Sequence, residues 1–408
     1  MTTCETTMVA IDVAKIYNHA LIEFPSGNQK KLKFKNSIDG FTQLKEVIEK
    51  EDFPVIAALE PTGNFHRPLG HFLIKQDYDV RQINTIVLAR QRDALNNSWN
   101  KSDPHDAETM LFLIKNSNLQ KYREVFIEGF SGEQEVTRRI RSLTKQRAKK
   151  ANSIQNHYLA IYFPEMFKFM TKMSISHINL LKSFPTPKDI TRVTCEEFIE
   201  QGLKLIKYGS NKRGFLKEVY EQSQVSIGVP IEPNGPEVQS FLTTIDEYEY
   251  IASQIKKLEK ILLERMKLNP QFEILKSIPG IGTTIASTIL SEAGDLKRFK
   301  HVRQFLKYAG LNLSSSQSGK YQSDKQISKR GNPRLRAVFW QAALVAIYTS
   351  GTGNGLKAKY NSIVNRNPND AHAKRKAITA SAIKVATIVH TLIRKNEYYR
   401  PYVAGPSS

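Results

Sequence analysis

The sequence predicts a multidomain protein in which an α/β domain is followed by long helices and a mainly helical C-terminal region. Three observations support this fold class. Strand-like and helix-like patterns alternate near the N-terminus, two long helical patterns follow, and the C-terminal third is both helical and strongly basic. At roughly 100–200 residues per domain, a chain of 408 residues has room for several domains.

The N-terminal pattern predicts a mixed sheet. The runs MVAIDVAK, NHALIEF and KKLKFKN are typical of three strands joined as a meander. Helical periodicity begins after Ser37, and PVIAALEPTG is then an apolar strand that ends at Pro61 and Gly63. A helix over HRPLGHFLIKQ and a strand over YDVRQIN follow, so we predict one α/β domain over residues 1–127.

Two long helical patterns, which could pair with each other as an antiparallel coiled coil, predict a coiled-coil linker over residues 128–268. One follows Gly132, and the other is EVQSFLTTIDEYEYIASQIKKLEKILLERMK, with apolar residues three and four positions apart. Shorter helices are expected in an inserted region, about 164–236, and a mainly helical domain over 269–408. Because repeated apolar positions need burial, we expect a partner subunit to cover them, and hence a homo-oligomer, either a dimer or a tetramer.

Composition argues against several classes of protein. The longest apolar runs, such as Ala337 to Tyr348, fall short of the roughly 18 residues of a membrane span, so no membrane helix is expected. The N-terminus does not resemble a signal peptide. The two cysteines, Cys4 and Cys195, are too few for a disulfide framework or a cysteine zinc site. These features predict an intracellular protein.

Charge is distributed unevenly and indicates a polyanionic partner. The net charge is +21, and residues 301–408 hold 18 basic and 3 acidic side chains. Neutralising phosphates releases counterions, so a nucleic acid is the expected partner. A basic face that only keeps the protein soluble is the alternative. A second basic run on the first long helix includes Arg138, Arg139 and Arg141.

Four acidic residues are candidates for metal ligation. Asp12 lies in a buried strand, where a carboxylate is costly unless it faces a site, and Glu60 ends another strand. Asp103 and Asp106 lie together at a helix start. Asp103 could instead be a helix cap and Asp12 a strand-end residue bonded to backbone. Carboxylates without Cys or His suit Mg²⁺, and paired ions of this kind support phosphoryl transfer.

The glycines of SIPGIGTTIASTIL predict a tight turn before a helix. Gly280 and Gly282 would expose backbone N–H groups at the helix that starts at Thr283, as in a helix-hairpin-helix that binds phosphate. An ordinary helical hairpin is the alternative.

The segment YAGLNLSSSQSGKYQSDKQISKRGNPRLR combines serines with cations. A hydroxyl there could attack a phosphodiester, although a solvated phosphate-binding loop has the same composition. Its candidate nucleic-acid contacts are Lys320, Lys325, Lys329, Arg330, Arg334 and Arg336.

Six segments of the chain follow one another in this order: VAIDVAK, AALEPTGNF, NKSDPHDAETM, SIPGIG, YAGLNLSSSQSGK and ISKRGNPRLR. With these segments in this order, the chain resembles the DEDD-type transposases of bacterial insertion sequences. These transposases are relatives of the Piv-type DNA invertases. The resemblance implies a RuvC-like (RNase H-like) N-terminal domain, a coiled-coil linker and a C-terminal transposase domain. It also implies that Asp12, Glu60, Asp103 and Asp106 bind Mg²⁺ or Mn²⁺. The family's Ser-Gly pair falls on Ser318 and Gly319, so Ser318 is the implied nucleophile, with Ser314, Ser315, Ser316 and Ser323 nearby.

The resemblance further implies a recombinase that joins donor and target DNA, guided by an RNA encoded by the element. Its composite site would combine the acidic residues and the serine, which different subunits can contribute. Its location would be the bacterial cytoplasm, at the nucleoid. One alternative is a junction-resolving nuclease that uses water as the nucleophile. Another is an architectural nucleic-acid-binding protein with structural carboxylates.

Overall fold

The computed structural model describes residues 6–61, 63–96, 103–116, 119–122, 131–170, 173–207, 211–314, 317–318, 321–322, 326–348, 355–366 and 368–401. For residues 95–96, 103–106, 131, 314, 317–318 and 321–322 only the backbone is described. The chain divides into two compact units, Met1–Ser131 and Gly132–Ser408, which we call the N-terminal and C-terminal units.

The N-terminal unit contains a six-stranded mixed sheet. Its elements are β1 Thr7–Asp12, β2 Tyr17–Glu23, β3 Gln29–Lys35, α1 Ile38–Ile48, β4 Val55–Leu59, α2 His66–Lys75, β5 Asp79–Gln82, α3 Thr85–Asn96, α4 Asp103–Asn116 and β6 Gln120–Lys121. The strand order is β3-β2-β1-β4-β5-β6. The pairs β1/β2, β2/β3 and β5/β6 are antiparallel, whereas β1/β4 and β4/β5 are parallel. The predicted meander followed by alternating strands and helices is thus confirmed.

Alternate residues of each strand face opposite sides of the sheet, and helices cover both sides. Val9 and Ile11 of β1 belong to the core that α1 and α2 complete. Met8 and Ala10 belong to the second core, with Met110 of α4. Burial on both sides explains why β4 is wholly apolar and why β1 is mostly apolar until its last residue, Asp12.

The C-terminal unit is mostly helical. Its elements are α5 Ser131–Ser153, a π-helical stretch Ile154–Leu159, α6 Ala160–Tyr162, α7 Met166–Phe169, α8 Ile175–Ser183, α9 Pro187–Thr191, α10 Cys195–Leu205, α11 Lys212–Gln224, α12 Pro236–Met266, α13 Pro270–Lys276, α14 Thr283–Ala293, a 3₁₀ turn Leu296–Arg298, α15 Val302–Ala309, β7 Leu313–Ser314, β8 Gln317–Ser318, β9 Tyr321–Gln322, β10 Gln326–Ile327, α16 Pro333–Tyr348, α17 Gly355–Arg366 and α18 Ala373–Lys395.

The long helices α5 and α12 run antiparallel. Glu133, near the start of α5, pairs with Arg265 near the end of α12 at 2.7 Å. Lys150, near the end of α5, pairs with Glu247. Leu143 and Ile255 are buried in the core of this same unit. The expectation that a partner subunit must cover these apolar positions was therefore wrong, because the chain buries them itself.

The inserted region forms a core of its own. Its short helices begin at clear caps, since Thr186 with Asp189 and Thr194 with Glu197 form capping boxes. Phe198 is fully buried among them. The first half of α12 contributes Phe241 and Ile245 to this core, and the second half packs into the core of the remaining helices.

One described helix, α18, is long and apolar enough to cross a membrane by length and composition alone, with a mean hydropathy of 1.3 over its best window. Half of that window is buried within the protein. Fully buried residues such as Val385, Ala386 and Val389 pack in the core with α16 and α17. The apolar character of α18 is thus used for packing in the C-terminal unit.

Candidate functional site

Two of the predicted acidic residues lie side by side at one edge of the sheet. Asp12 is the last residue of β1, and Glu60 directly follows β4. In the parallel register Ile11 faces Leu59, so the next residues along both strands are Asp12 and Glu60. Both are half-buried. This carboxyl edge of the parallel strands is where ligands of open α/β sheets usually bind.

Both acidic residues also lie on the side of the sheet that α4 covers. Asp12 is two residues from Ala10, and Glu60 is two residues from Ala58, so each pair shares a face. Ala10 and Ala58 pack with Ala107 and other α4 residues in one core. Asp12 and Glu60 therefore belong to the same face and the same edge, which we call the acidic edge.

The direction of α4 follows from two ion pairs. Lys115, in its last turn, pairs with Glu23, the β2 residue opposite Met8 at the start of β1. Glu108, seven residues earlier, pairs with Lys31 at 3.5 Å. Lys31 is in register with Leu21, and Leu21 with Ala10, in the middle of β1. Hence α4 runs antiparallel to β1, and its start lies toward the acidic edge.

The first turn of α4 contains the other two candidate ligands. From Glu108 back to Asp103 the helix rises about 7.5 Å, and from Ala10 to Asp12 the strand advances about 6.6 Å. The α4 backbone at Asp103 is therefore level with Asp12. The side chains of Asp103 and Asp106 lie outside the described part of the structure. Among the side chains that are described, no three of His, Cys, Asp or Glu form a metal-binding group.

Sequence reasoning missed two residues of this edge. His19 of β2 is directly opposite Asp12 in the antiparallel register, on the same face. The side chain of Asn36 donates to the backbone oxygens of Ala14 at 3.1 Å and Phe65 at 3.3 Å. It thereby ties the loop after β1 to the loop after β4. Neither residue carries a motif; only strand register and long-range bonding identify them.

The serine segment is a pair of short antiparallel ribbons rather than a featureless loop. β7 pairs with β10, and inside them β8 pairs with β9, with Ser318 opposite Tyr321. Ser318 is thus the last strand residue before Gly319 and Lys320, which lie outside the described residues along with Lys325. The interpretation of this segment as a loop was wrong in its secondary structure, while the role of Ser318 as nucleophile stays a prediction.

The run KRGNPRLR sets the start of α16 close to α15. Gly331 has a φ of +143° and lies so near Tyr308 and Gly310 that a Cβ would fall 2.5 Å from the Tyr308 carbonyl oxygen. Asn332 accepts hydrogen bonds from the backbone N–H groups of Arg334 and Leu335, which caps the helix. Pro333 suits the first helical position because its missing N–H is not needed there. Packing therefore explains these residue types.

Two of the residues predicted to contact nucleic acid form ion pairs with a buried carboxylate. Glu292 is 2% exposed and lies in the last turn of α14. Arg138 of α5 approaches it at 3.2 Å, Arg334 at 3.6 Å, and Asn332 donates to it at 2.9 Å. Arg138 and Arg334 therefore stabilise the helix packing, which the charge pattern alone did not reveal.

The other predicted basic contacts divide by exposure. Arg139, Arg141, Lys329 and Arg330 are exposed. The side chain of Arg336 donates a hydrogen bond to the backbone oxygen of Lys329 at 2.9 Å. Lys329 lies in a tight turn with a φ of +55°. The exposed cations can still contact a phosphate backbone.

The two glycines before α14 have different roles. Gly280 has a φ of +83°, and a Cβ there would lie 2.2 Å from the carbonyl oxygen of Ala342 on α16. Gly282 is exposed, has open space around it, and precedes Thr283 at the helix start. The predicted turn and helix start are confirmed. Gly280 is half-buried against α16, whereas Gly282, Thr283 and Thr284 are exposed.

Two models of known protein families match separate parts of this chain. The model of the IS110-type DEDD transposases, described as a transposase, matches residues 9–164. The model described as "Transposase IS116/IS110/IS902 family" matches residues 272–360. The chain belongs to the IS116/IS110/IS902 family of transposases. The first match contains the acidic edge and α4, and the second contains α14, the serine ribbons and α16. The inserted region lies between the two matches.

Individual relatives agree with this family. A probable family 20 transposase of Pseudomonas aeruginosa is 27% identical over 38% of this chain and 45% of its own length. The transposase of insertion sequence element IS1111A from Coxiella burnetii is 26% identical over 48% of this chain and 53% of its own. A pilin gene-inverting protein of Moraxella bovis is 25% identical over 47% and 55%. The chain thus matches about half the length of these relatives.

Proposed function

We propose that this member of the family is the transposase of an insertion sequence and acts on DNA as a site-specific recombinase. The acidic edge carries the proposal, because Asp12 and Glu60 end neighbouring parallel strands while the start of α4 lies level with them. DEDD transposases depend on a divalent metal ion, and we propose Mg²⁺ or Mn²⁺ for this chain. We further propose a homo-oligomer that works at the bacterial nucleoid.

The proposed reaction exchanges one phosphodiester for another. The hydroxyl oxygen of Ser318 attacks a backbone phosphorus, its Oγ–P bond replaces one P–O bond of the DNA, and the departing sugar oxygen takes up a proton. In the second step a sugar hydroxyl of the other DNA attacks the phosphoserine, and the serine recovers its proton. Bonds of the same type form and break, so no external energy source is required.

The roles of the side chains follow from their chemistry. Asp12, Glu60, Asp103 and Asp106 would hold the metal, since hard divalent ions prefer carboxylate oxygens. When bound, a divalent ion neutralises charge that develops on the transferring phosphate. A serine hydroxyl is a weak nucleophile at neutral pH. Exposed Lys329 and Arg330 follow the serine ribbons in the chain and can offset phosphate charge.

The proposal predicts a covalent protein–DNA adduct on Ser318. We expect mass spectrometry of denatured reaction products to find a nucleotide linked to the Ser318 peptide. The Ser318→Ala variant should lack the adduct and the joined product. Ser323→Ala, a matched change five residues away, should retain both.

Other outcomes of that experiment are equally clear. An adduct on Ser315, Ser316 or Ser323 would keep the serine mechanism and overturn the assignment to Ser318. If Ser318→Ala still cuts DNA and leaves free ends, while cleavage still requires a divalent ion, water is the nucleophile. The chain would then be a junction-resolving nuclease of the same fold.

We also propose that an RNA encoded by the element guides the protein. The support is the charge of residues 301–408, which hold 18 basic and 3 acidic side chains, together with exposed cations on α5. Protein purified from cells that carry the whole element should contain one discrete RNA, and ribonuclease treatment should stop recombination until that RNA is restored. Full recombination of defined DNA by ribonuclease-treated protein would contradict RNA guidance.

A further inference from the structure

A cleft of about 1070 Å³ opens inside the C-terminal unit, between α5, α12, α14 and α16. Each helix contributes residues three or four positions apart, so one continuous face of each lines it. We call this the basic cleft, because the described residues that line it include six cations and one carboxylate, Glu259. The cations are Arg141, Lys145, Lys256, Lys257, Lys260 and Arg334.

Most of that positive charge is not neutralised by the protein. Arg334 pairs with Glu292. In the part of the chain that the structure describes, the other five cations form no ion pair with a carboxylate. Like charges gathered from two helices repel one another, which costs stability unless an anion occupies the space between them. The cleft is therefore suited to an anionic ligand.

The floor and rim of the cleft add hydrogen-bond donors. Thr283 and Thr284, in the first turn of α14, line it, so the positive end of the helix dipole faces the same space. Ser287, one turn further, also lines it. The Ser287 hydroxyl is buried and has no hydrogen-bond partner among the described residues. A buried hydroxyl without a partner is costly, and a bound anion would provide one.

We infer that the basic cleft binds the phosphodiester backbone of one nucleic-acid strand. Its volume is just above the roughly 300–1,000 Å³ typical of ligand pockets, which fits a few nucleotides and is too small for a duplex. None of the described residues that line it is aromatic. The described lining therefore provides no platform for base stacking, which most single-strand sites use, and offers phosphate contacts instead. This inference rests on the proposed function and specifies where one of its strands lies.

The test compares salt-dependent binding of the full-length chain and a cleft variant. The variant is Lys256→Ser with Lys260→Ser, and its control is Lys297→Ser with Lys300→Ser, two exposed lysines outside the cleft. The probes are short RNA and DNA single strands of one sequence and the matching DNA duplex. Losing two phosphate contacts should reduce the slope of log K against log salt by about 1.4, and affinity by about 25-fold near 0.1 M salt. The control should bind as the wild type does.

A second variant separates binding from stability. Ser287→Ala removes an unsatisfied buried hydroxyl, so its melting temperature should hold or rise while its affinity falls about tenfold. Weaker binding of RNA alone, or of DNA alone, identifies the strand that the cleft holds. Unchanged single-strand affinity in both variants, or a loss confined to duplex DNA, would overturn the inference. Strand transfer by the wild type is measured separately, so a failure of the proposed function would not be mistaken for a failure of the cleft.

Discussion

Replacing Asp12 by Asn is expected to lower strand cleavage and transfer by more than about 100-fold while the chain folds and binds nucleic acid normally. Removing even a residue that only hydrogen-bonds a metal ligand typically lowers metal affinity or activity 10–100-fold. The substitution keeps the size of the side chain and removes one negative charge beside Glu60. Repulsion at the acidic edge decreases, so stability without metal should hold or rise. Asp106→Asn should behave in the same way.

Thermal unfolding provides a second measurement that does not depend on activity. An ion that binds only the folded protein raises the melting temperature of the wild type. That increase should disappear in Asp12→Asn. Glu108→Gln is the control, since Glu108 is a surface carboxylate of α4 whose partner is Lys31. Normal recombination by Asp12→Asn in Mg²⁺, or an unchanged thermal response to the ion, would show that Asp12 is not a ligand.

The acidic edge could be predicted in part because strand geometry is local. Apolar runs that end in Asp12 and Glu60 identify two buried strands and the edge where they stop. The proximity of the two residues then requires that β1 and β4 be adjacent and parallel, with Ile11 beside Leu59. A one-residue change of register would have placed them on opposite faces. That register depends on the packing of the whole sheet, so only the structure establishes it.

Long-range contacts could not be predicted from the sequence. His19 is important only through its pairing with Asp12, and Asn36 only through two loops that are distant in the chain. The apolar positions of α5 and α12 correctly predicted buried faces, but periodicity does not distinguish burial within one chain from burial between two. Leu143 and Ile255 turned out to be covered by their own chain.

The clearest case is Glu292, which the sequence places in an unremarkable helix end. Its contacts come from α5, from the turn before α16 and from α16 itself, separated by up to 154 residues. The same carboxylate therefore links three of the four helices that line the basic cleft. The charge pattern predicted only nucleic-acid contacts for Arg138 and Arg334. Their ion pairs with the buried carboxylate of Glu292 give both residues a structural role.

Removing this carboxylate should cause the largest loss of stability of any single substitution considered. Breaking a buried ion pair typically costs 3–5 kcal/mol. The side chains of Arg138 and Arg334 are 33% and 40% exposed, so water can solvate them in part, and we expect about 3 kcal/mol for Glu292→Ala. For a unit as large as Gly132–Ser408 that lowers the melting temperature by about 5 °C. The control is Glu264→Ala, a substitution at an exposed position of α12, which should alter the free energy of unfolding by less than about 0.5 kcal/mol.

Binding should respond to the same substitution in the opposite direction. Glu292→Ala leaves the Arg138 and Arg334 guanidinium groups without their carboxylate, and Arg334 lines the basic cleft. Below the melting transition, affinity for a single strand should therefore hold or increase, with a steeper salt dependence. A variant that melts like the wild type would show that the buried pairs contribute nothing to stability. A variant that melts early and also loses affinity below its transition would show that Glu292 positions the cleft, because added positive charge alone can only strengthen binding to phosphate.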